Sequence, residues 1–309
     1  MTAPARPLRQ VSRASRRSRR ADRIATVALW GTAVLALALL GGIILYLVVA
    51  SIGVVSPAFL FGDPSDTELG GIFPLFWNSL YILGLTMLIS VPLGILAGIY
   101  MAEYAAENRL TNAIRFAEEA ISSVPSIVVG LFGLIAFVNL TGWGYTALSG
   151  ALALTLFNLP LLARLTEQAL RAVPADERAG SLALGATKWQ TVRHVVLPLA
   201  IPGIITGIIL TAGRVFGEAA VLLFTAGQST PTHYDFTNFD LSDPSSPWSP
   251  FRPATTLAVF IWKNNAEGLG NFVTEVANGS SAVLLGTVLV FNLSARLFGR
   301  FLTRRLTAA

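Results

Sequence analysis

The sequence contains no cysteine. Disulfide scaffolding, thiol catalysis and cysteine-based metal sites are thereby excluded. Histidine is scarce as well: His194 and His233 are the only two, and they lie far apart. They are too few for a histidine metal centre or a histidine acid–base pair. Charge is also thin. Only 13% of the 309 residues are charged, against about 25% in ordinary soluble domains. No G-x4-GK(S/T) phosphate loop occurs, so the chain is not expected to hydrolyse ATP. No Ser/His/Asp set or convergent carboxylate pair occurs either. The expectation is a non-enzyme with no metal and no cofactor of its own.

In place of these, 53% of the residues are hydrophobic. Six apolar runs are near the roughly 20 residues that cross a bilayer: 24–52, 77–101, 121–139, 148–165, 197–224 and 282–302. A backbone in hydrocarbon must satisfy its own hydrogen bonds, so each run is predicted to be a helix. The expected fold is all-α, a polytopic membrane protein with six transmembrane helices. Pro125 in the run SSVPS predicts a kink at the start of the third span, and Gly130 and Gly133 predict close helix approach. Residues 255–262 are apolar but too short to span, which predicts a packed or interfacial segment.

The positive charge is concentrated rather than spread. Eight arginines lie between Arg6 and Arg23, and four between Arg296 and Arg305. Both clusters flank spans, which is the positive-inside pattern, and it puts both termini in the cytoplasm. That requires an even number of spans. All of the 22 Lys+Arg then face inward except Arg214, Arg252 and Lys263. The first span reads as a retained anchor, since no small-residue cleavage site follows it. The basic arm, residues 1–23, is expected to be disordered or adsorbed on anionic lipid. It has no aromatic residues for stacking, so nucleic acid is not an expected partner.

One inner segment, 171–198, is too polar to span, yet apolar runs lie on both sides. Pro174, Asp176 and Glu177 suit a helix start. Gly185 breaks that helix, Ala186 begins another, and Pro198 is expected to end the segment. The geometry is two short helices meeting at a glycine, with Leu182, Leu184 and Trp189 able to fill a partner's pocket. From the residues alone, such a hairpin either docks another protein or packs on its own.

The spacing Gly185-x9-Val195-x-Leu197-Pro198 resembles the coupling loop of bacterial ABC importer permeases. With LALGATKWQTVRHVVLPLAIPGIITGIIL, GRVFGEAAVLLFTAG and VPSIVVGLFGL, the chain is similar to the A-type permease of phosphate importers over roughly residues 75–305. The resemblance implies a permease domain at 24–305, with a coupling loop at 171–198 and an outer loop at 227–281. It implies a C-type permease partner, a dimer of ATP-binding subunits carrying ATP and magnesium, an external phosphate-binding protein and surrounding lipid in a bacterial inner membrane. It implies coupling through Arg178, Ala179, Gly180, Ser181, Leu182, Gly185, Ala186, Trp189, Leu197 and Pro198. The family's usual Glu-Ala-Ala stands here as Ala179-Gly180-Ser181, so the family glutamate is absent.

The run Arg214-Val215-Phe216-Gly217-Glu218 resembles that subfamily's R-x-x-G-E signature. Each charge inside a span costs about 2.5–3.5 kcal/mol on insertion scales. The spacing of Arg214 and Glu218 predicts a pair on one helix face, with Gly217 beside them. A guanidinium matches two oxygens of a phosphate. The pair therefore serves an anion in transit or fixes helix packing. Another oxyanion, such as sulfate or molybdate, is the alternative cargo. A secondary transporter would show an inverted repeat and several intramembrane carboxylates, and neither is present.

Overall fold

A computed structural model describes residues 9–64, 70–229, 233–267 and 273–307. All regular structure among the described residues is helical. The chain divides into two units, Met1–Ile52 and Gly53–Ala309.

The first unit is one helix, α1 (Arg9–Ala50). The arm, expected to be disordered or adsorbed on anionic lipid through residue 23, is helical from Arg9 onward. Arginine and alanine are good helix formers, and nothing between Arg9 and the apolar run breaks the helix. Trp30, Leu37 and most of the other large apolar side chains described in α1 are exposed.

The second unit opens with a short helix, α2 (Pro57–Phe61), whose start is capped by the Ser56 hydroxyl. Helix α3 (Phe73–Ile99) continues into a π-helical turn, Tyr100–Tyr104. After α4 (Arg109–Ser123) comes α5 (Ser126–Gly133), extended by a π turn at Leu134–Asn139. Helix α6 (Ala147–Arg171) is the most buried element. Then come α7 (Ala175–Ala183), α8 (Lys188–Thr191), α9 (Leu197–Phe216), α10 (Ala220–Thr225), α11 (Leu257–Glu267) and α12 (Val273–Thr307).

Helix directions follow from where glycines meet their neighbours. A Cβ added to Gly94 of α3 would lie 2.7 Å from Leu162 of α6, and one on Gly98 would lie 2.5 Å from Thr166. The two numbers rise together, so α3 and α6 are parallel. Gly203 meets Ala169 and Gly207 meets Leu165, so α9 runs antiparallel to α6. Gly299 meets Ile205 and Gly213 faces Asn292, so α12 is antiparallel to α9. Parallel neighbours need one return crossing between them, and the α4–α5 segment lies between α3 and α6 to supply it.

That return is the expected third span, in bent form. Among the described residues five helices are long and apolar enough to cross a membrane, and the pair Arg109–Ser123 plus Ser126–Asn139, bent by 100°, counts as a sixth when taken as one span. The bend falls at Val124-Pro125. Proline pushes the residue before it out of the helical region, and Val124 is extended with ψ 133°. Gly130 and Gly133 make the close contacts expected of them: a Cβ on Gly130 would lie 2.9 Å from the Ala220 carbonyl oxygen, and one on Gly133 2.8 Å from Thr225.

Ile82, Leu154, Phe157, Val215, Phe216 and Leu222 belong to the central core. A second cluster of Ile99, Leu170, Val173, Val192, Val196, Ala200 and Ile204 lies where α3 and α6 end and α9 begins. A third, with Phe59, Ile72, Leu75 and Leu257, closes the opposite end. Leu257, Ala258 and Val259 are buried, so the short apolar segment at 255–262 packs on its own protein.

Candidate functional site

The polar segment folds as the two-helix hairpin expected of it, with two corrections. Pro174 stands just before α7 rather than in its first turn, while Asp176 and Glu177 occupy that turn. The second helix resumes at Lys188, not Ala186, because Thr187 caps it: the Gln190 amide donates to Thr187 Oγ1 at 3.3 Å, and the Thr187 amide to Gln190 Oε1 at 2.8 Å. Such a reciprocal pair satisfies two otherwise unpaired helix-start donors. Pro198 ends the polar segment as expected, where the next span begins. It sits in the first turn of α9, and the helical path runs from α8 through a π turn at Val192–Val196 into α9 without interruption. Val192 and Val196 are buried.

Gly185 joins the two helices with φ +85°, a conformation that side chains with a Cβ seldom adopt. A Cβ there would meet nothing within 4 Å, so backbone geometry alone requires the glycine. No residue of α7 is buried. Leu184 is 91% exposed, and Leu182 and Trp189 are about half exposed at 51% and 53%. Ala179 and Gly180 are exposed beside them, and Ser181 and Ala186 are partly covered. Leu197 and Pro198 are also partly covered, where α9 enters the bundle. Ser181 and Thr191 tie the two arms together by a 2.9 Å hydroxyl hydrogen bond. Arg178 points the other way, into the bundle, and pairs with Glu103. Glu103, which reads from sequence as one more charge at a solvated helix end, is thus a structural partner. His194 is exposed and its ring nitrogen lies 3.1 Å from the Gln190 carbonyl.

The paired Arg214 and Glu218 of the sequence reading are corrected. Helix α9 ends at Phe216, closed by Gly217 at φ −90°, so Glu218 lies beyond it and not on its face. The Glu218 carboxylate instead accepts hydrogen bonds from the Ala220 and Val221 amides at 3.1 and 3.4 Å, which caps the start of α10. Two amides at a helix start outcompete a distant guanidinium for that carboxylate. Arg214 is half-buried. Its guanidinium carbon lies 3.9 Å from the centre of the Phe157 ring, a cation–π contact with α6. No carboxylate among the described residues forms an ion pair with it.

Sequence reasoning placed Arg252 only as an outer charge. It is wholly buried. Its Nη1 donates to Asn78 Oδ1 and to the Tyr234 hydroxyl, both at 2.6 Å, while Nε and Nη2 donate to the Pro247 carbonyl at 3.2 and 3.0 Å. The rings of Tyr81 and Tyr234 lie 5.2 and 4.7 Å from its guanidinium carbon. Burial lowers its pKa, and the two tyrosines oppose that shift. Around it Trp77 meets Phe236 and Trp248 edge-on at 5.0 and 4.9 Å. A lone arginine among aromatic and proline residues was the available signal.

The family model described as "Binding-protein-dependent transport system inner membrane component" matches residues 94–308. The chain belongs to this permease family. The permease is 50% identical over 93% of its length, and 98% of the relative's, to a probable ABC transporter permease of Bacillus subtilis, YqgI. It is 33% identical to the Haemophilus influenzae phosphate transport system permease PstA, over 78% of this chain and 79% of that one. Among solved structures, it superposes on a bacterial alginate ABC transporter chain with a TM-score of 0.64 at 15% identity, covering 93% of this chain and 97% of the other. That likeness concerns the fold. The permease is a multi-pass inner-membrane transport subunit of the PstA type.

Proposed function

We propose that this permease forms one half of the membrane pathway of an ATP-driven importer of inorganic phosphate, with Arg214 as the pathway's anion contact. The observation that carries the reading is Arg214 itself: half-buried in a span, stacked on Phe157 and unpaired with any carboxylate among the described residues. The ring steadies the guanidinium without neutralising it. A planar guanidinium engages two phosphate oxygens at once. A single charge balances the anion without holding it as a cluster of cations would. Relatives that carry the name phosphate permease support the cargo.

In this proposal a separate dimer of ATP-binding subunits, holding ATP and magnesium, grips the hairpin at Leu182, Leu184 and Trp189. An external binding protein delivers phosphate, a C-type permease supplies the other half of the pathway, and both termini lie in the cytoplasm. The α8–α9 rod runs unbroken from Lys188 to Phe216 and so joins the docking surface to Arg214. A rigid-body shift at the hairpin would then reach the pathway directly. Glu218, by capping α10, sets the break that ends the rod just past Arg214.

Phosphate uptake by Arg214→Ala and Arg214→Lys permeases, at matched expression, tests this. A bidentate charged contact is worth about 1.5–3 kcal/mol, or roughly a 10- to 100-fold loss for alanine. Lysine should recover part of it. Near-normal uptake by Arg214→Ala would remove Arg214 from the pathway. Inhibition of uptake by sulfate or molybdate as strong as by unlabelled phosphate would reassign the cargo.

A further inference from the structure

Helix α7 has no buried residue, so apolar packing does not hold it to the bundle. Its ties are polar: Ser181 bonds Thr191 of the other arm, and the rest converge on one place. Arg178 Nη2 and Nε donate to Glu103 Oε1 at 3.0 and 3.3 Å. The same guanidinium donates to the Val173 and Leu170 carbonyls at 2.6 and 2.7 Å, at the end of α6. Lys188, at the start of α8, places its ammonium 5.1 Å from the Tyr104 ring centre. Glu103 and Tyr104 are adjacent residues of the π turn that ends α3. Both arms of the hairpin therefore grip the same turn. The Glu103 side chain is 10% exposed and that of Arg178 24%, so water screens the pair only partly.

We infer that Arg178 is a positioning residue: with Glu103, and aided by Lys188 on Tyr104, it clamps the exposed hairpin to the end of α3 so that hairpin and α3 move as one body. The geometry has a mechanical consequence. The second arm already continues into α9 as one helical rod. Without the clamp a push on α7 would bend Gly185 and the Val173-Pro174 connection, and α3 would stay behind. With it, the same push is delivered to α3 and α9 together, on two faces of α6. Arginine suits this task better than lysine, since one planar group reaches a carboxylate and two carbonyls at once. The inference rests on the proposed docking of an ATPase for its functional meaning, but the clamp is a property of this chain alone.

The absence of cysteine makes a direct test clean. Spin labels at Ala183→Cys on α7 and Leu96→Cys on α3, both exposed positions, report the hairpin-to-α3 distance in the full chain reconstituted in nanodiscs. The expected result is a single narrow distance distribution with Arg178 present. Arg178→Ala should broaden it at least twofold, Arg178→Lys less, and Glu103→Ala as much as Arg178→Ala with no further change in the double variant. A distribution as narrow in Arg178→Ala as in the parent overturns the clamp, whether or not an ATPase binds. In the assembled transporter, Arg178→Ala should raise ATP hydrolysed per phosphate imported severalfold while ATPase association persists. An unchanged ratio there also counts against it. Failure of the parent chain to bind an ATPase would overturn the docking proposal and leave the label distances to decide the clamp.

Discussion

Replacing Arg252 should destabilise the permease more than any other single change in its outer loop. The structure gives the terms. The guanidinium donates to four acceptors: Asn78 Oδ1, the Tyr234 hydroxyl and the Pro247 and Pro253 carbonyls. Two of these contacts are 2.6 Å long. A hydrogen bond from a charged donor contributes about 1.5–3 kcal/mol, though contributions within one cluster do not add. Against this stands the several-kcal/mol cost of taking the cation out of water, which vanishes with the charge. Arg252→Met keeps most of the volume and loses both the bonds and the desolvation cost, so a net loss of about 1–3 kcal/mol follows. Arg252→Ala adds a cavity among Trp77, Tyr81 and Tyr234, which brings the loss to about 3–5 kcal/mol. At about 2–4 °C per kcal/mol, the alanine variant should lose its fold about 6–20 °C lower. Thermal scans at one rate on purified protein measure this. Tryptophan emission should report the same transition, because Trp77 and Trp248 lie in the cluster. A methionine variant as stable as the parent would show that Arg252 merely fills space, and the polar-hub argument would fail.

Other outcomes follow from the same geometry. Gly185→Ala meets no neighbour but forces φ +85° on alanine, so it should cost roughly 1–2 kcal/mol of local stability, visible as faster hydrogen exchange in α7 and α8. Glu218→Ala removes the carboxylate that accepts from the Ala220 and Val221 amides and should cost about 1 kcal/mol, with exchange in α10 rising while that in α9 does not. Asp235, Asp240 and Asp243 have lowered pKa values because Thr237, Ser242 and Ser245 donate hydrogen bonds to them. A lowered folded-state pKa stabilises above the unfolded value of 3.8 and stops doing so as pH falls through the folded value. The loop should therefore loosen only in strong acid, and Asp→Asn changes at all three positions should abolish that acid dependence in a limited-proteolysis assay.

The spans were legible because hydrocarbon tolerates few backbone solutions, and the apolar runs mark them directly. The hairpin was legible because a polar segment ending in Gly185 and Pro198 interrupts those runs. What escaped the sequence was decided by competition between partners. Arg214 and Glu218 have the spacing of a helical pair, but the carboxylate had a better offer in the amides that start α10. Arg178 was read as part of the docking surface, and only the fold brings Glu103 beside it, 75 residues earlier in the chain. Arg252 and Asn78, 174 residues apart, are likewise joined only by the fold.

The central claim, that an ATPase drives this permease through the hairpin, is tested most directly by co-purification. Tagged permease with Gly185 intact should retain its ATP-binding subunit through detergent extraction. Gly185→Trp places a bulky side chain at the exposed bend and should reduce the retained subunit at least tenfold, while the variant itself still elutes as a folded, monodisperse protein. Equal recovery of the ATP-binding subunit from both proteins would contradict the account.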